Sequence, residues 1–246
     1  MSLRGILPQM SGSRFDPFEK LSTSKLIARK FVLFDFDGVI ANSYAVARET
    51  AQKMCARITD EEYRGLFEGN VYERHEAFLS PEHGPECDHG MDWFSVFTPA
   101  FEERAKLFSG MREVIEKLSH SYVLIVVSST LTSPIQGFLE KHHIGRYFSE
   151  VMGADVHTSK HEKIKMVFEK YGTSAPECIF ITDTLGDMRE AEAAGMRAIG
   201  VSWGFHTKET LIKGEPFRIV ETPQEIPPAI ADYFAHSAAE SNIEAP

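Results

Sequence analysis

The chain has 246 residues, of which 43% are hydrophobic and 25% are charged, and its formal net charge is −10. This length exceeds that of the usual single domain and fits one core domain with an insertion. The acidic balance argues against an extended basic surface, so we expect neither nucleic acid nor a membrane as a partner. The N-terminal region has no apolar run of signal-peptide length, and no stretch reaches the length of a membrane span, which predicts a cytoplasmic protein.

The two ends of the chain lack the pattern of a core element. Residues 1–29 are mixed in character and broken by glycine and proline, which predicts an N-terminal extension with a short helix near Phe18–Ile27. Residues 236–246 are small and polar, which predicts a flexible tail.

Between these ends, apolar runs alternate with helical patterns. A strand buried on both faces is predicted at Phe31–Phe34. Further strands are predicted at 123–127, 178–181, 197–201 and 217–220, and helices at 111–118, 133–142, 163–171 and 187–194. Strands that alternate with helices of this length predict βαβ units, so the expected fold class is α/β with a parallel sheet.

Residues 41–108 interrupt this alternation. They contain helical patterns near 44–57, 61–67, 72–79 and 93–106, with a break rich in proline and glycine at Pro81–Gly90. We therefore predict a helical cap at 41–108, inserted into a core of residues 30–40 and 109–235. Three metal-capable residues of the break lack a fourth ligand at zinc-site spacing, which favours a polar cap loop; they are His83, Cys87 and His89.

Two other sets of cap residues have alternative roles. The first set consists of aromatic residues that recur at near-helical spacing, which is typical of core packing: Trp93, Phe94, Phe97 and Phe101. The other is cationic and either binds a distal anion of a substrate or lies at the surface; it comprises Arg48, Arg64, Arg74 and His75.

Two carboxylates, Asp35 and Asp37, directly follow the first predicted strand. Like charges at the end of a buried strand repel each other, and burying them without partners costs several kcal/mol. A divalent cation would resolve this conflict, because ligands collect at the open end of an α/β sheet. Gly38 permits the tight backbone that follows. A solvated turn after the strand is the alternative.

Ser128 and nearby lysines are candidate phosphate-binding and charge-balancing groups. Ser128 follows the strand predicted at 123–127, where its hydroxyl and neighbouring N–H groups could bind a phosphoryl oxygen; taken alone, a helix-capping role is favoured. Lys160 precedes an amphipathic helix and could offset the charge of a nucleophile and a transferring group. Lys163 and Lys165 compete for that role, and a lone lysine is usually solvated surface.

A second pair of carboxylates, Asp183 and Asp187, follows the strand predicted at 178–181. Asp187 lies one helical turn beyond Asp183, a spacing that can bring both to one cation. A small set of oxygen ligands favours Mg²⁺, which keeps several waters and also binds substrate phosphate. For Asp187 alone, an acidic residue at a helix N-terminus is the alternative.

Taken together, the order Asp-x-Asp, strand-Ser, Lys and strand-Asp-x-x-x-Asp resembles the haloacid dehalogenase superfamily, from about Phe31 to Gly204. This resemblance implies a Rossmann-like three-layer core with a helical cap of the C1 class. It also implies Mg²⁺-dependent phosphoryl transfer through an aspartyl-phosphate. Phosphoglycolate-type phosphatases are the nearest general resemblance within the family.

The resemblance also implies a role for each motif residue. Asp35 would be the nucleophile and Asp37 the general acid/base, and Lys160 would be their electrostatic partner. The implied substrate-binding groups are Gly38, Ser129 and Ser128, of which Ser128 also counts as catalytic. The implied Mg²⁺ ligands are Asp35, Asp37 through its backbone carbonyl, Asp183 and Asp187.

The presence of Asp37 favours hydrolysis of a P–O bond, because a dehalogenase does not need this acid and a phosphonatase uses a Schiff-base lysine. The implied function is Mg²⁺-dependent hydrolysis of a small phosphorylated metabolite. A phosphomutase of the same fold, or a non-catalytic phosphoaspartate signalling or binding protein, is the alternative. Thr182 and Asn42 depart from the common family pattern, but neither change removes a ligand carboxylate. Substrate and oligomeric state are not specified by the sequence.

Overall fold

A computed structural model describes residues 29–78 and 91–243 of the chain. The predicted N-terminal extension up to residue 28, its helix at 18–27, and the Pro81–Gly90 break with His83, Cys87 and His89 lie outside the described residues. Within those limits, we find no helix that is both long enough and apolar enough to cross a bilayer.

The strands form one parallel sheet and one short ribbon. In chain order the described strands are β1 Phe31–Phe34, β2 Ala41–Asn42, β3 Lys106–Leu107, β4 Val123–Val127, β5 Phe148–Met152, β6 Cys178–Thr182, β7 Ala198–Val201 and β8 Arg218–Val220. The sheet has the order β5-β4-β1-β6-β7-β8, and all its neighbours are parallel. β1 is central, with Phe34 in register with Val126 and Ile181. The carboxyl ends of β1, β4 and β6 therefore meet at one edge.

Helices cover both faces of this sheet. Those of the core are α5 Met111–Ser119, α6 Thr132–Lys141, α7 Lys160–Tyr171, α8 Leu185–Ala193, α9 Lys208–Ile212 and α10 Ile226–Ile243. Val32 and Phe34 of β1 pack into a cluster with α5, α6 and α10. Phe31 and Leu33 point to the opposite face, where α7, α8 and α9 pack. Successive side chains of a strand alternate between faces, so a strand apolar throughout becomes the middle of a three-layer α/β core, as predicted.

A helical insertion leaves the core after β1 and returns before α5. The antiparallel β2–β3 ribbon joins its two ends, with Ala41 opposite Leu107. Between them lie α1 Tyr44–Met54, α2 Asp60–Gly65, α3 Val71–Phe78 and α4 Trp93–Arg104. Phe97 and Phe101 of α4 are buried, and Phe101 packs on Phe36 just after β1. We call this insertion, residues 43–105, the cap.

Two elements differ from the sequence-based expectation. β5 was not anticipated, because it lies at the edge of the sheet and its half-exposed residues interrupt the apolar pattern. α10 extends to Ile243, so a helix covers residues 236–243, where a flexible tail was predicted. Alanines at 235, 238 and 239 have high helix propensity, which favours continuing a helix whose first turns are anchored by buried Ile226 and Ile230.

Candidate active site

Asp35 and Asp37 lie where the chain leaves β1 and reverses into the cap. Asp35 is only 4% exposed, and its Oδ1 accepts a hydrogen bond from Phe36 N at 2.7 Å. Gly38 has φ +75°, a left-handed conformation that glycine adopts without strain. A Cβ at Gly38 would lie 1.9 Å from Asp183 Oδ2, so this turn must pass directly against that carboxylate.

Three carboxylates from two strand ends and one helix converge beside this turn. Ligand oxygens of Asp35, Asp183 and Asp187 lie within 4.8 Å of one another, and all three residues are buried. Asp183 follows β6, and Asp187 lies in the first turn of α8, whose start is capped by Thr184 Oγ1 accepting from Asp187 N. Of the four residues predicted to bind metal, Asp35, Asp183 and Asp187 therefore form one cluster. The side chain of Asp37 lies outside it.

One lysine balances part of this charge. Lys160 begins α7 and is 2% exposed, and its Nζ lies 2.8 Å from Asp35 Oδ1 and 2.7 Å from Asp187 Oδ2. Burial alone would lower the lysine pKa, but attraction to the two carboxylates outweighs it and holds the pKa above its usual range. Lys160 is therefore a fixed positive charge at this site.

The carboxylates differ in their pKa values. Burial raises the pKa of Asp35 well above its usual value, against the opposing attraction of Lys160. Burial also raises the pKa of Asp183 to about 8. For Asp187 the effect of burial is outweighed by Lys160 and by a hydrogen bond from Thr182 Oγ1 at 2.7 Å, so its pKa is lowered. A single ammonium group cannot keep all three groups ionised, and further positive charge would be required.

The donor set suits a hard divalent cation. Asp183 Oδ2 accepts from Phe205 N at 2.6 Å, whereas Asp183 Oδ1 is buried and has no hydrogen-bond partner among the described residues. A buried carboxylate oxygen left without a donor is costly unless a cation binds it. The cluster contributes oxygen ligands only, the preference of Mg²⁺. These residues could therefore hold a metal ion.

Asp37 lies in a different environment from Asp35. Its Oδ2 accepts from Thr130 Oγ1 at 2.6 Å, and its Oδ1 is buried without a hydrogen-bond partner in the described part of the chain. Burial raises the pKa of Asp37, and hydrogen bonds from Thr130 and Ser43 oppose that rise. A carboxyl group that favours its protonated form is suited to donate a proton.

The predicted phosphate-binding serines lie at the end of β4. Ser128 is fully buried, and its Oγ accepts from Thr130 N at 3.1 Å, which leaves its own proton free to donate. Ser129 lines the cavity described below, and its carbonyl accepts from Tyr72 Oη of the cap at 2.7 Å. Neither residue caps α6 through its side chain, because Leu131 is the residue at the N-cap position.

The three lysines that competed in the sequence have three different environments. Lys160 contacts the carboxylates, as described above. Lys163 Nζ is buried and donates to the backbone carbonyls of Ser128 and Gly153. Lys165 is exposed and pairs with Glu162 on its own helix. The geometry thus favours Lys160 as the active-site lysine.

The cap closes a cavity of about 160 Å³ over these groups. Core residues, including Asp35, Asp37 and Lys160, form its floor, and mainly apolar side chains of the cap form its walls. Asn70 Nδ2 donates to Glu190 Oε1 at 3.2 Å and to Thr158 O at 3.3 Å, which fixes the cap to the core. The carboxylates therefore lie at the floor of a cavity that the cap partly covers.

Comparison with known proteins identifies the family. The model of the haloacid dehalogenase-like hydrolase family matches residues 32–201. The chain belongs to this family.

Among curated relatives, “Probable phosphatase IndB” of Dickeya dadantii is 34% identical over 124 residues, which cover 49% of this chain and 54% of that protein. The matched region thus spans about half the length of that relative. A phosphoglycolate phosphatase of Pseudomonas savastanoi pv. phaseolicola is 24% identical over 233 residues, which cover 89% of this chain and 85% of that protein.

Solved structures share the fold at low sequence identity. A haloacid dehalogenase-like hydrolase of Streptococcus pneumoniae aligns with a TM-score of 0.66 and 20% identity, covering 81% of this chain and 97% of that one. CbbY of Rhodobacter sphaeroides, solved in complex with phosphate, aligns with a TM-score of 0.65 and 21% identity. The alignment covers 80% of this chain and 96% of that one.

This haloacid dehalogenase-like hydrolase also has site residues that the sequence did not single out. Thr130 contacts Asp37, and its place two residues after Ser128 at a strand end is a signal that could have identified it. Thr182, first noticed as a departure from the family pattern, donates to Asp187. Asn70 and Glu190 lie 120 positions apart, so no local pattern could have predicted their contact.

Proposed function

We propose that this haloacid dehalogenase-like hydrolase is a Mg²⁺-dependent phosphatase that hydrolyses a small phosphorylated metabolite through a covalent phosphoryl group on Asp35. The observation that carries the proposal is the arrangement at the cavity floor. There Asp35 lies 2.8 Å from Lys160 Nζ within a three-carboxylate cluster, and the separately held Asp37 lines the same cavity.

Asp35, Asp183 and Asp187 would hold the Mg²⁺, with the backbone carbonyl of Asp37 as a further candidate ligand. When bound, the ion would supply positive charge that ionises the cluster and attracts phosphoryl oxygens. The buried Asp183 Oδ1, which lacks a hydrogen-bond partner within the described residues, supports this assignment.

The protein's own residues account for both halves of the reaction. In the first half, a carboxylate oxygen of Asp35 bonds to phosphorus, the ester P–O bond breaks, and Asp37 gives its proton to the leaving alkoxide. In the second half, Asp37 takes a proton from water, the hydroxide oxygen bonds to phosphorus, and the bond to Asp35 breaks to release phosphate. The high pKa of Asp37 suits the first role, and its ionised form after that step suits the second.

Three further residues would position the phosphoryl group. Lys160, held as a cation, offsets the charge shared between Asp35 and the transferring group. Ser128 has a hydroxyl proton to donate to a phosphoryl oxygen, and Ser129 lines the same cavity. Gly38 would act through the turn that follows Asp37, which passes against Asp183. The names of the relatives and the phosphate complex of CbbY support phosphate as the ligand class.

The test is phosphate release from a panel of phosphate monoesters, with and without Mg²⁺. We expect Mg²⁺-dependent release by the wild type and a loss of roughly 10³-fold or more in Asp35→Asn. Asp232→Asn makes the same change at a surface ion pair with Arg218 and should retain full activity. Release unaffected by Asp35→Asn would refute the mechanism. Turnover that requires a bisphosphate activator would indicate a phosphomutase instead.

A further inference from the structure

The cavity walls above the carboxylates are apolar and largely aromatic. Six cap residues form most of this wall: Leu66, Phe67, Val71, Trp93, Phe94 and Phe97. Trp93 stacks on Phe97 with ring centroids 5.5 Å apart and an interplanar angle of 20°. Phe67 packs edge-on against Phe205, which rises from the core side of the cavity. The wall therefore offers flat apolar surface to a bound leaving group.

Lys160 and Glu190, which line the cavity, are already engaged in ion pairs or hydrogen bonds within the protein. Lys160 is paired with two carboxylates on the floor. Glu190 Oε1 accepts from Asn70 Nδ2, Ser159 Oγ and the backbone N of Lys160, at 2.9 to 3.2 Å. No arginine lines the cavity within the described residues, and the sequence at 79–90 contains neither arginine nor lysine.

The cap arginines Arg48, Arg64 and Arg74, which the sequence left as candidate anion-binding residues, do not line the cavity. Arg64 pairs with Asp60 at 2.7 Å. Arg48 is mostly buried over the ring of Tyr63, with its Nη2 donating to the carbonyl of Ile58 and its Nε 3.5 Å from Asp60 Oδ1. Its Nε and Nη1 have no hydrogen-bond partner among the described residues, but it does not line the cavity. Arg74 Nη1 donates to the carbonyl of Gly65 at 2.7 Å. Among the described residues, a carboxylate on the distal part of a substrate would thus lie against apolar rings with no cation lining that wall, which is strongly unfavourable.

Resting on the phosphatase activity proposed above, we propose that the substrate is the phosphate monoester of an uncharged, predominantly apolar alcohol. Its ring or branched apolar group would lie against Phe67, Trp93 and Phe94. Hydrolysis would release that alcohol with a proton on its oxygen, and water would supply the oxygen retained by phosphate. An apolar cavity of about 150 Å³ holds benzene. Because this cavity of about 160 Å³ must also receive the phosphoryl group, the apolar part is at most about one ring.

This assignment separates the chain from its relatives named phosphoglycolate phosphatase. Phosphoglycolate carries a carboxylate where the wall of this cavity is apolar. The buried hydroxyl of Tyr63, which has no hydrogen-bond partner in the described chain, is a neutral donor at the same wall. It could pair with a hydroxyl or carbonyl oxygen of a substrate, but it cannot neutralise a full charge.

The test compares kcat/KM for four monoesters in the presence of Mg²⁺: benzyl phosphate, ethyl phosphate, phosphoglycolate and phosphoethanolamine. We expect benzyl phosphate to be best and to exceed phosphoglycolate on the order of 100-fold. Phosphoglycolate or phosphoethanolamine at or above benzyl phosphate would overturn this inference and leave the phosphatase proposal intact. Absence of turnover with every ester of both panels would instead overturn the phosphatase proposal.

Two substitutions in α4 test whether the apolar wall contacts the substrate. Phe94 is half-buried and lines the cavity, whereas Val96 on the same helix does not line it. Phe94→Ala should lower kcat/KM for benzyl phosphate roughly tenfold and for ethyl phosphate less than about twofold. Val96→Ala should change neither value. Equal losses on both esters in Phe94→Ala would show a structural role only and refute the contact.

A substitution that increases the relative turnover of a charged substrate is a further test of the wall. Phe94→Arg places a cation at the apolar wall and should raise the ratio of phosphoglycolate to benzyl phosphate turnover about tenfold or more. A ratio unchanged in a folded Phe94→Arg protein, judged by its circular dichroism and melting temperature, would contradict the placement of the distal group.

Discussion

Replacing Lys163 by methionine tests whether a buried ammonium group supports the loop that carries Ser128. Lys163 is fully buried in α7, and its Nζ donates to the carbonyls of Ser128 and Gly153. Burial lowers its pKa to about 8, and repulsion from Lys160 adds to this effect. Methionine has a similar length and no charge, so the substitution removes the titration and keeps most of the packing.

The lowered pKa of Lys163 determines the sign and size of its effect on the free energy of unfolding. Between pH 8 and the ordinary lysine pKa of about 10.4, the unfolded chain binds more protons at this position than the folded protein does. The free energy of unfolding therefore rises with pH across that window, by about 1.4 kcal/mol per pH unit at most. Between pH 7 and pH 10 the wild type should gain about 2 to 3 kcal/mol that Lys163→Met does not gain.

Urea unfolding of both proteins at pH 7, 8, 9 and 10 measures this difference directly. Lys165→Met on the same helix is the matched control, because Lys165 is exposed and should follow the wild-type pH dependence. Parallel pH dependences of Lys163→Met and the wild type would show that Lys163 is not held in the buried environment described here.

Three further results are expected. Mg²⁺ should raise the melting temperature of the wild type by about 5 °C when its concentration is about 100-fold above Kd, and Asp183→Asn should lose this response. The rise should be larger at pH 8 than at pH 6, because Mg²⁺ must displace the proton of Asp183, whose pKa is about 8. Thr130→Val removes a hydrogen bond that lowers the pKa of Asp37, so the basic limb of the kcat/KM pH profile should move to higher pH. Gly204→Ala places a Cβ 2.2 Å from Asp183 Oδ2, so urea unfolding should show a loss of about 2 kcal/mol or more.

Each of these results has an outcome that would contradict it. If Mg²⁺ still raised the melting temperature of Asp183→Asn, the ion would bind at a place other than the three-carboxylate cluster. A basic limb that stays in place or falls in Thr130→Val would assign that limb to a group other than Asp37. For Gly204→Ala the control is Gly137→Ala, since Gly137 lies exposed in α6 with open space around it. The control should be neutral or slightly stabilising, and equal losses in both variants would refute the collision with Asp183.

The chemical groups of the site were readable from the sequence because their positions are local properties. Asp35, Ser128 and Asp183 each follow a short apolar run, and a parallel sheet brings the carboxyl ends of such runs to one edge. Asp187 was predictable from one helical turn of spacing. The α/β class followed for the same reason, since strand and helix periods are carried by neighbouring residues.

Only the tertiary structure decided which groups are partners. Lys160 and Lys163 share a helix and a residue type, yet one contacts Asp35 and the other two backbone carbonyls. That choice depends on where α7 docks against β1 and β4. The strand β5 and the end of α10 likewise depend on their surroundings more than on their own patterns.

The character of the cavity was also decided by folding. The near-helical spacing of Trp93 and Phe94 was interpreted as part of a core-packing stripe, but the cap places them at the cavity beside Phe67. Neither Arg48 nor Arg64 lines that cavity. Helical spacing specifies that two residues share a face, while the direction of that face depends on packing between α4, α1 and the core. The sequence therefore indicated the candidate reacting groups, and the packing of the cap determined the apolar surface that lines the cavity above them.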